Sequence, residues 1–200
     1  DATLAGIRLN GNAADSMYFV SGSAKHWIYG KGAVPMTFST NGIEAMRIDA
    51  TGAVTKPLQP AFSVNKGGTA QNNFAINLAN TVTYSAERFD NNSDFDLANN
   101  RFGAPVTGKY FLTANLRMEY VDTSAAFYIL SIFTSNQTYG TIIDPLFTAD
   151  LDYLTQTVSI VADMDAGDIA YVTIQQNAGT VQTDINGEVG YTHFSGYLLG

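Results

Sequence analysis

The sequence contains no cysteine among its 200 residues. It therefore has no disulfide framework and no thiolate metal site. No apolar run approaches the ~18 residues that a membrane-spanning helix requires, and no signal peptide is visible. No stretch repeats apolar residues at the three- and four-residue spacing of an amphipathic helix. These absences argue against a disulfide-stapled fold and a helical membrane protein, and they favour an all-β protein.

Charged side chains are also scarce, at 14% of the sequence, against roughly 25% in an average soluble domain. The hydrophobic fraction is 46%, which is enough to build a core. Either uncharged polar residues or further copies of the chain must therefore cover much of the surface, and we favour the copies. The net charge is −8, so a trimer would carry three times that charge. A field of this sign repels phosphate backbones and anionic bilayers, so we expect no nucleic-acid partner and no membrane insertion.

Common catalytic and metal-binding motifs are missing as well. There is no Gly-rich phosphate loop and no zinc spacing of His and Cys. His193 and Ser195 stand two apart on one predicted strand, where their hydrogen bond would be poorly aimed, and no acid partner is indicated. We expect no catalytic residue and no enzymatic activity. A glycan depolymerase is the enzymatic alternative, because a pair of carboxylates about 5–10 Å apart could form between subunits.

Two acidic stretches are candidates for a cation. Residues 90–96, Asp-Asn-Asn-Ser-Asp-Phe-Asp, are rich in the oxygen ligands that calcium prefers. They lack the central Gly and distal Glu of an EF-hand, and such turns are common without metal. Asp163, Asp165 and Asp168 crowd a second turn, which three-fold symmetry would triplicate. We expect no cofactor and no metal ligand, with calcium as the alternative.

The first part of the chain repeats a short unit. Apolar β-like runs that close on Gly recur about every ten residues, at 7–11, 17–22, 27–30, 36–42 and 46–52. A strand-plus-turn unit of this size has one apolar face and must stack on neighbours or on other chains. The pattern predicts a repetitive β-stalk over residues 1–56, and an ordinary β-meander is the alternative.

The last of these units carries a resemblance. Residues 44–54, Glu-Ala-Met-Arg-Ile-Asp-Ala-Thr-Gly-Ala-Val, resemble a phrase common in bacteriophage tail and head fibres, where it lies just before a terminal domain. Pro57 and Pro60 follow, and two prolines three apart predict a stiff linker over residues 57–60. The chain opens at Asp1 in the middle of the pattern, so we expect the C-terminal part of a longer fibre.

Longer strands are predicted after the linker. Residues 109–120 alternate, with Tyr110, Leu112, Ala114, Leu116, Met118 and Tyr120 on one face. Residues 125–134 are almost continuously apolar, which predicts a strand covered on both sides. Further strands are expected at 158–162, 168–176 and 191–199, and residues 165–168 carry turn residues typical of a hairpin. Many antiparallel strands in one domain predict a sandwich or jelly roll.

Four sequence blocks make this head specific. They are Pro-Ala-Phe at 60–62, Phe-Gly-Ala-Pro-Val-Thr-Gly-Lys-Tyr-Phe at 102–111, Gly-Asp at 167–168 and Phe-Ser-Gly-Tyr-Leu-Leu at 194–199. In this order and spacing they resemble the globular head of the complement-one-q family, with its tumour-necrosis-factor relatives. The resemblance covers about 140 residues. It implies a jelly-roll β-sandwich head over residues 61–200 that forms a homotrimer.

The final strand predicts the trimer interface. Phe194 and Leu198 face one way, and apolar residues also face the other way, so something beyond one sandwich must cover them. In the family a three-fold interface provides this cover. The predicted interface residues are Tyr191, His193, Tyr197 and Leu199.

Together these features predict the receptor-binding end of a trimeric viral fibre on the virion surface. Strand parity places the loops near 121–124, 163–167 and 185–190 at the distal tip, where recognition commonly lies. The predicted contact residues are Asp122, Thr123, Ser124, Asp165, Asn186 and Glu188. Expected partners are a host-surface glycan or protein and upstream fibre or virion proteins. The alternatives are a purely architectural trimerisation head and an adhesin of a cellular organism.

Overall fold

The computed structural model describes residues 5–10, 16–21 and 25–199 of the chain. Within these residues the regular structure is entirely β-strand. In this described part no helix has the length and hydropathy to cross a membrane. The chain divides into two compact units, Asp1–Leu58 and Gln59–Gly200. The predicted all-β fold class is confirmed.

The first unit forms two small antiparallel sheets within its described residues. The first sheet contains β1 (Ala5–Asn10), β2 (Ser16–Ser21) and β3 (His26–Lys31), and the second contains β4 (Met36–Thr40), β5 (Ile43–Ile48) and β6 (Val54–Thr55). No side chain described between 17 and 58 is buried, and Ile43 and Val54 are 55% and 58% exposed. A single sheet cannot cover its own apolar face. The repetitive stalk stays a prediction, and its turns at Gly11 and Gly22 lie outside the described residues.

The turn after β5 explains the fibre-like phrase in physical terms. One carboxylate oxygen of Asp49 accepts hydrogen bonds from the backbone N–H and hydroxyl of Thr51, at 2.8 and 2.7 Å, and from the N–H of Ala53 at 3.0 Å. Gly52 has a φ of 94°, which a residue with a side chain rarely adopts. The chain then reverses, and Val54 pairs with Ile48. Asp and Gly at these spacings therefore encode a tight strand reversal.

The second unit is a sandwich of two antiparallel sheets. One sheet, which we call the β12 sheet, contains β7 (Ala61–Asn65), β9 (Ala86–Asp90), β12 (Gly108–Val121), β15 (Leu151–Met164), β17 (Asp184–Ile185) and β18 (His193–Leu198). The other, which we call the β13 sheet, contains β8 (Asn80–Thr81), β10 (Phe95–Asp96), β11 (Arg101–Gly103), β13 (Phe127–Thr134), β14 (Thr138–Ile143) and β16 (Ile169–Asn177). The β12 sheet has the order β15–β12–β18–β7–β9, with β17 beside β12, and the β13 sheet has the order β10–β11–β16–β13–β14, with β8 beside β16. This arrangement confirms the predicted jelly-roll sandwich.

The core lies between the two sheets, and β12 shows how the sequence builds it. The predicted alternation is confirmed for Tyr110, Leu112, Ala114, Leu116 and Met118, each of which is at most 1% exposed. It is wrong for Tyr120, which is 61% exposed. Tyr120 has a φ of 55°, and the buried residue at this point of the strand is Val121. The change in the backbone at Tyr120 therefore ends the period-2 burial pattern at Met118, two residues earlier than predicted.

Aromatic rings fill the part of the core beneath β7. The Phe62 ring lies 4.6 Å from that of Phe102, 5.0 Å from that of Phe194 and 5.3 Å from that of Phe95, measured between ring centroids. Burying each ring stabilises the fold by roughly 1.5–3 kcal/mol. Gly196 permits this close packing, because a Cβ there would lie 2.8 Å from Phe62 and 2.5 Å from Leu112. The Phe-Ser-Gly block thus supplies the core ring of Phe194 and, at Gly196, the space that the side chains of Phe62 and Leu112 occupy.

The register of β12 defines two ends of the sandwich. Gly108 pairs with Met164 at one end, and Val121 pairs with Leu151 at the other. Tyr110 pairs with Leu198, and Tyr197 pairs with Ala61, so both termini of the head lie at the end of Gly108. We call this the base end, and we call the end of Val121 the far end.

Two predictions about β13 and the turn at 165–168 are wrong. Residues 165–168 connect β15 to β16, which belong to different sheets, so they cross between the sheets and form no hairpin. Strand β13 is covered by the core on one side only. Tyr128, Leu130 and Ile132 are buried in the core, whereas its other face opens into a groove on the surface of the β13 sheet.

Candidate functional site

The outer face of the β12 sheet carries an apolar row at the base end. Phe111 pairs with Val161 on one side and with Tyr197 on the other, and Tyr197 pairs in turn with Ala61. Val161 is 54% exposed and Tyr197 is 47% exposed. The rings of Phe111 and Tyr197 lie 5.5 Å apart and border a shallow depression of about 260 Å³. No described residue of the head forms a layer over this row.

A row of hydroxyl groups lies next to it, toward the far end. The hydroxyl of Ser195 donates to that of Ser63 at 2.8 Å, and the hydroxyls of Thr113 and Ser159 share a hydrogen bond of 2.7 Å. Each hydroxyl is thus paired along the sheet and projects no large group from it. The outer face is therefore flat at this level.

The following row contains His193. It pairs with Asn115 on β12 and Asn65 on β7, and its Nδ1 atom is buried without a hydrogen-bond partner among the described residues. Burial lowers the pKa of His193, and the nearby charge of Arg88 lowers it further. His193 is therefore held toward its neutral form.

Arg117 closes the outer face toward the far end. Its guanidinium carbon lies 4.1 Å from the centre of the Tyr153 ring and 4.5 Å from that of Tyr191. It pairs with Glu119 at 3.4 Å and with Glu188 at 3.9 Å. Only 15% of the Arg117 side chain is exposed. The two rings and two carboxylates fix this cation in one position.

The four predicted interface residues all lie on or beside this outer face. Tyr191 is 46% exposed and Leu199 is 49% exposed, His193 is half-buried, and Tyr197 belongs to the apolar row. The apolar surface of the final strand is open in the single chain. Their role at a trimer interface stays a prediction.

The predicted contact residues of the loop at 121–124 lie at the far end. Asp122 is only 2% exposed, because its carboxylate accepts hydrogen bonds from the backbone N–H groups of Ser124, Thr180 and Val181. These bonds and the Ser124 hydroxyl lower its pKa to about 2 despite burial, which alone would raise it. Asp122 therefore ties two far-end loops together, and it was wrongly predicted as a surface contact. Thr123 and Ser124 remain accessible.

Of the two predicted contact residues in the loop at 185–190, one is likewise buried and the other is exposed. Asn186 is 6% exposed, its amide donates to Glu119 at 2.7 Å, and its carbonyl oxygen accepts from the N–H of Glu188 at 2.9 Å. The prediction that Asn186 contacts a receptor directly is therefore also wrong. Glu188 is exposed on the surface.

Asp165 was placed at the wrong end of the head. Its turn follows Met164, which pairs with Gly108 at the base end, so it lies away from Asp122. The prediction failed because β14 was not recognised as a strand, and this one missing strand reverses the expected directions of β15 and β16. Asp165 is exposed beside Thr107.

The acidic stretches use their oxygens within the loops. The two carboxylate oxygens of Asp90 accept from the N–H groups of Asp94 and Phe95, at 3.0 and 2.8 Å. Asp168 accepts from the N–H of Asp165 at 2.9 Å and from the Asn136 amide at 2.8 Å. No cluster of three acidic or histidine side chains suited to a metal occurs in the described part of the chain. These bonds account for the carboxylates of Asp90 and Asp168, and the absence of a metal ligand, with calcium as the alternative, stays a prediction.

Sequence reasoning missed the residues that complete the outer face. Phe111, Asn115 and Arg117 alternate with core residues of β12 and were assigned only to its polar side. Their importance depends on the register with β15 and β18, which brings Val161, Tyr153 and Tyr197 alongside. The alternation itself was the available signal, because a partly aromatic outer side is unusual for a solvated strand.

The fold and the outer face define a class of protein, the jelly-roll heads of the complement and tumour-necrosis-factor type. Residues 61–199 match the family model described as the C1q domain. The match covers more than half of the chain, and the protein belongs to the C1q domain family. C1q-like domains are structural and binding modules that generally form trimers and bind ligands.

Structural comparison agrees with the fold. The globular domain of the zebrafish complement 1qA protein is similar with a TM-score of 0.51 and 18% sequence identity, over 71% of this chain and 98% of that chain. At this identity the likeness concerns the fold alone. A comparison with curated proteins found no match.

Proposed function

We propose that the protein is the distal part of a homotrimeric phage fibre, whose C1q head attaches the virion to a receptor on the host surface. The observation that carries the proposal is the open outer face of the β12 sheet, where Tyr197, Val161 and Phe89 are each about half exposed. The fibre-like phrase that ends on the Asp49 turn supports the viral origin. Upstream fibre or virion proteins would hold the first unit.

The trimer would form on this outer face. Three copies around one axis would cover the apolar row, together with Tyr191, His193 and Leu199. Burying each half-exposed aromatic contributes on the order of 1 kcal/mol, since full burial contributes roughly 1.5–3 kcal/mol. Several such residues in each of three chains would make dissociation rare at micromolar concentration.

Receptor contact would use the accessible residues of the far end, Thr123, Ser124 and Glu188. The carboxylate of Asp122 fixes these loops, and exposed loops on a rigid sandwich are common recognition surfaces. Several heads on one particle raise the effective concentration at the cell, so weak single contacts can hold a virion.

Sedimentation tests the assembly. We expect a single species of three times the 21.5 kDa chain mass. Tyr197→Glu places a charge in the apolar row and should give monomers, whereas Val181→Glu, at a residue 49% exposed at the far end, should leave the trimer intact. A compact wild-type monomer at micromolar concentration would overturn the proposal.

Adsorption of the labelled trimer to host cells tests attachment. We expect wild-type binding that Ser124→Arg and Glu188→Arg reduce, and that Asp165→Arg, a matched change at the base end, does not. A trimer that never adsorbs to a cell type infected by the particle would instead have an architectural role.

A further inference from the structure

A groove of about 420 Å³ crosses the outer face of the β13 sheet, on the opposite side of the sandwich from the β12 sheet. Its floor is formed by Gly140, Ser131 and Thr173, which are direct neighbours across β14, β13 and β16. A trimer built on the β12 sheet would leave this groove facing outward. It therefore differs from the proposed interface and from the far-end loops.

The floor presents two hydroxyl groups that lack partners. Ser131 is 6% exposed and Thr173 is 5% exposed, and neither hydroxyl has a hydrogen-bond partner among the described residues. Both residues line the groove, so their remaining access is into it. Both oxygen atoms retain contact with the solvent of the groove, so a polar ligand can pair with them. A ligand with polar edges would satisfy both groups.

Gly140 keeps this floor open. A Cβ at position 140 would lie 2.8 Å from the Oγ atom of Ser131 and 3.3 Å from the side chain of Ile129. Even a methyl group there would press against the hydroxyl and occupy the space above it. Glycine weakens a strand interior and often marks a site where another molecule approaches closely.

Each wall of the groove carries an apolar side chain. Phe133 forms one wall and is stacked on Tyr171, with ring centroids 5.3 Å apart and an interplanar angle of 11°. Ile142, which is 63% exposed, and the amide of Gln175 belong to the other wall. The row of Ile129, Ile142 and Gln175 lies four positions along β13 from Phe133, a span of about 13 Å between backbones, which leaves room for one ring-sized ligand.

From this geometry we infer that the groove binds an uncharged saccharide unit of a host-surface glycan. A sugar ring has hydroxyls along its edges and an apolar C–H face, which fit the two floor hydroxyls, the Gln175 amide and the fixed Phe133 ring. No charged side chain is among the described residues that line the groove, so it offers no partner to a carboxylated or phosphorylated sugar. A wholly apolar segment would leave both hydroxyls unpaired. The inference rests on the proposed function, since it adds a glycan contact in the groove to the receptor contacts of the far-end loops.

Ligand-observed NMR on the full chain tests the site, with glucose, galactose, mannose and N-acetylglucosamine as neutral probes and N-acetylneuraminic acid as the charged probe. We expect at least one neutral sugar to bind. Thr173→Val removes one hydroxyl at constant shape and should weaken that binding about tenfold, and Gly140→Ala should abolish it.

Two matched controls come from the same sheet. Gly103→Ala adds a methyl group that would meet only the backbone oxygen of Asp94, at 3.8 Å, and Thr81→Val removes an exposed hydroxyl opposite Thr173. Both should bind like the wild type. Thermal melting of all four variants identifies any that has lost its fold, and Thr173→Val decides the question if Gly140→Ala does not fold.

The inference is overturned if no neutral sugar binds, if only the charged sugar binds, or if Thr173→Val and Gly140→Ala bind as the wild type does. Host-cell adsorption separates this failure from that of the proposed function. If the head adsorbs to cells but binds no neutral sugar, the saccharide site is wrong and the attachment role stands. If the head binds the sugar in the groove but never adsorbs to cells, the attachment role is wrong instead.

Discussion

Arg117 lies over the ring of Tyr153, with its guanidinium carbon 4.1 Å from the centre of the ring. Arginine is needed here because its planar group can stack on a ring and still pair with carboxylates, here those of Glu119 and Glu188.

We therefore expect Arg117→Lys to lower the free energy of unfolding by about 1 kcal/mol, although the charge is kept. Urea denaturation of the wild type and the variant measures this difference. Arg101→Lys is the control, because the Arg101 side chain is 45% exposed and its ion pair with Asp96 is 4.0 Å long. An equal loss in both variants would mean that stacking on the tyrosines contributes nothing.

Asp122→Asn tests the link between the two far-end loops. Because the pKa of Asp122 is lowered to about 2 in the folded chain, from 3.8, its contribution is fully present above about pH 4 and is lost as the pH falls through 2. The variant should be less stable by about 2 kcal/mol at pH 7, and the two proteins should converge in acid. Asp152→Asn, at an exposed residue of β15, is the control for the loss of one carboxylate and should leave stability at pH 7 unchanged. A constant difference between pH 7 and 2 would contradict this account.

Lys66 is a buried cation that is paired with no carboxylate in the described part of the chain. It is 1% exposed, and its ammonium group donates to the carbonyl and hydroxyl oxygens of Thr83, at 2.8 and 2.9 Å. Burial lowers its pKa from 10.5 to about 8. The unfolded chain therefore binds more protons between these values, and stability rises with pH across that window.

Between pH 8 and 10.5 we expect the wild type to become more stable relative to the Lys66→Met variant, by about 3 kcal/mol. Comparing the two proteins cancels the titration of the tyrosines, which both contain. Urea denaturation at several pH values in this range measures the change. Lys109→Met, at a side chain 62% exposed, is the control for replacing a lysine by methionine. A pH-independent difference for Lys66→Met would show that the ammonium group is solvated.

The half-buried imidazole of His193 should make the fold less stable in acid. Because burial and the charge of Arg88 lower its pKa, the folded chain resists protonation that the unfolded chain accepts near pH 6.5. Stability should therefore fall as the pH drops below 6.5, and His193→Gln should lose less stability over the same range. Thermal melting from pH 7.5 to 5 compares them. If both proteins lose the same stability, the imidazole is not responsible.

Local sequence patterns were enough to predict most of the fold, but not which residues from distant parts of the chain lie side by side. The alternation of β12 and the blocks around Phe62, Gly108 and Phe194 predicted the sandwich, because these residues build its core. Strand β14 was missed, since Thr138–Ile143 follows β13 without a Gly- or Pro-rich break, and this error moved Asp165 to the wrong end.

The candidate sites depend on register, which the sequence does not display. Ser131 lies within the apolar run of β13, and only its pairing with Gly140 and Thr173 makes it the floor of a groove. In the same way, Asp122 occurs in a polar loop typical of a surface contact. The backbone groups of Thr180 and Val181, almost sixty residues later, are what bury it.

The position of β7 has a mechanical consequence. Its residues pair with β18 on one side and β9 on the other, and Ala61 begins at the base end. Tension entering at Gln59 and opposed by an attachment nearer the far end would pull along the strand axis. The hydrogen bonds on both sides of β7 would then be sheared together instead of being unzipped one by one. Such a head would resist detachment of its first strand when a tethered particle is dragged by flow.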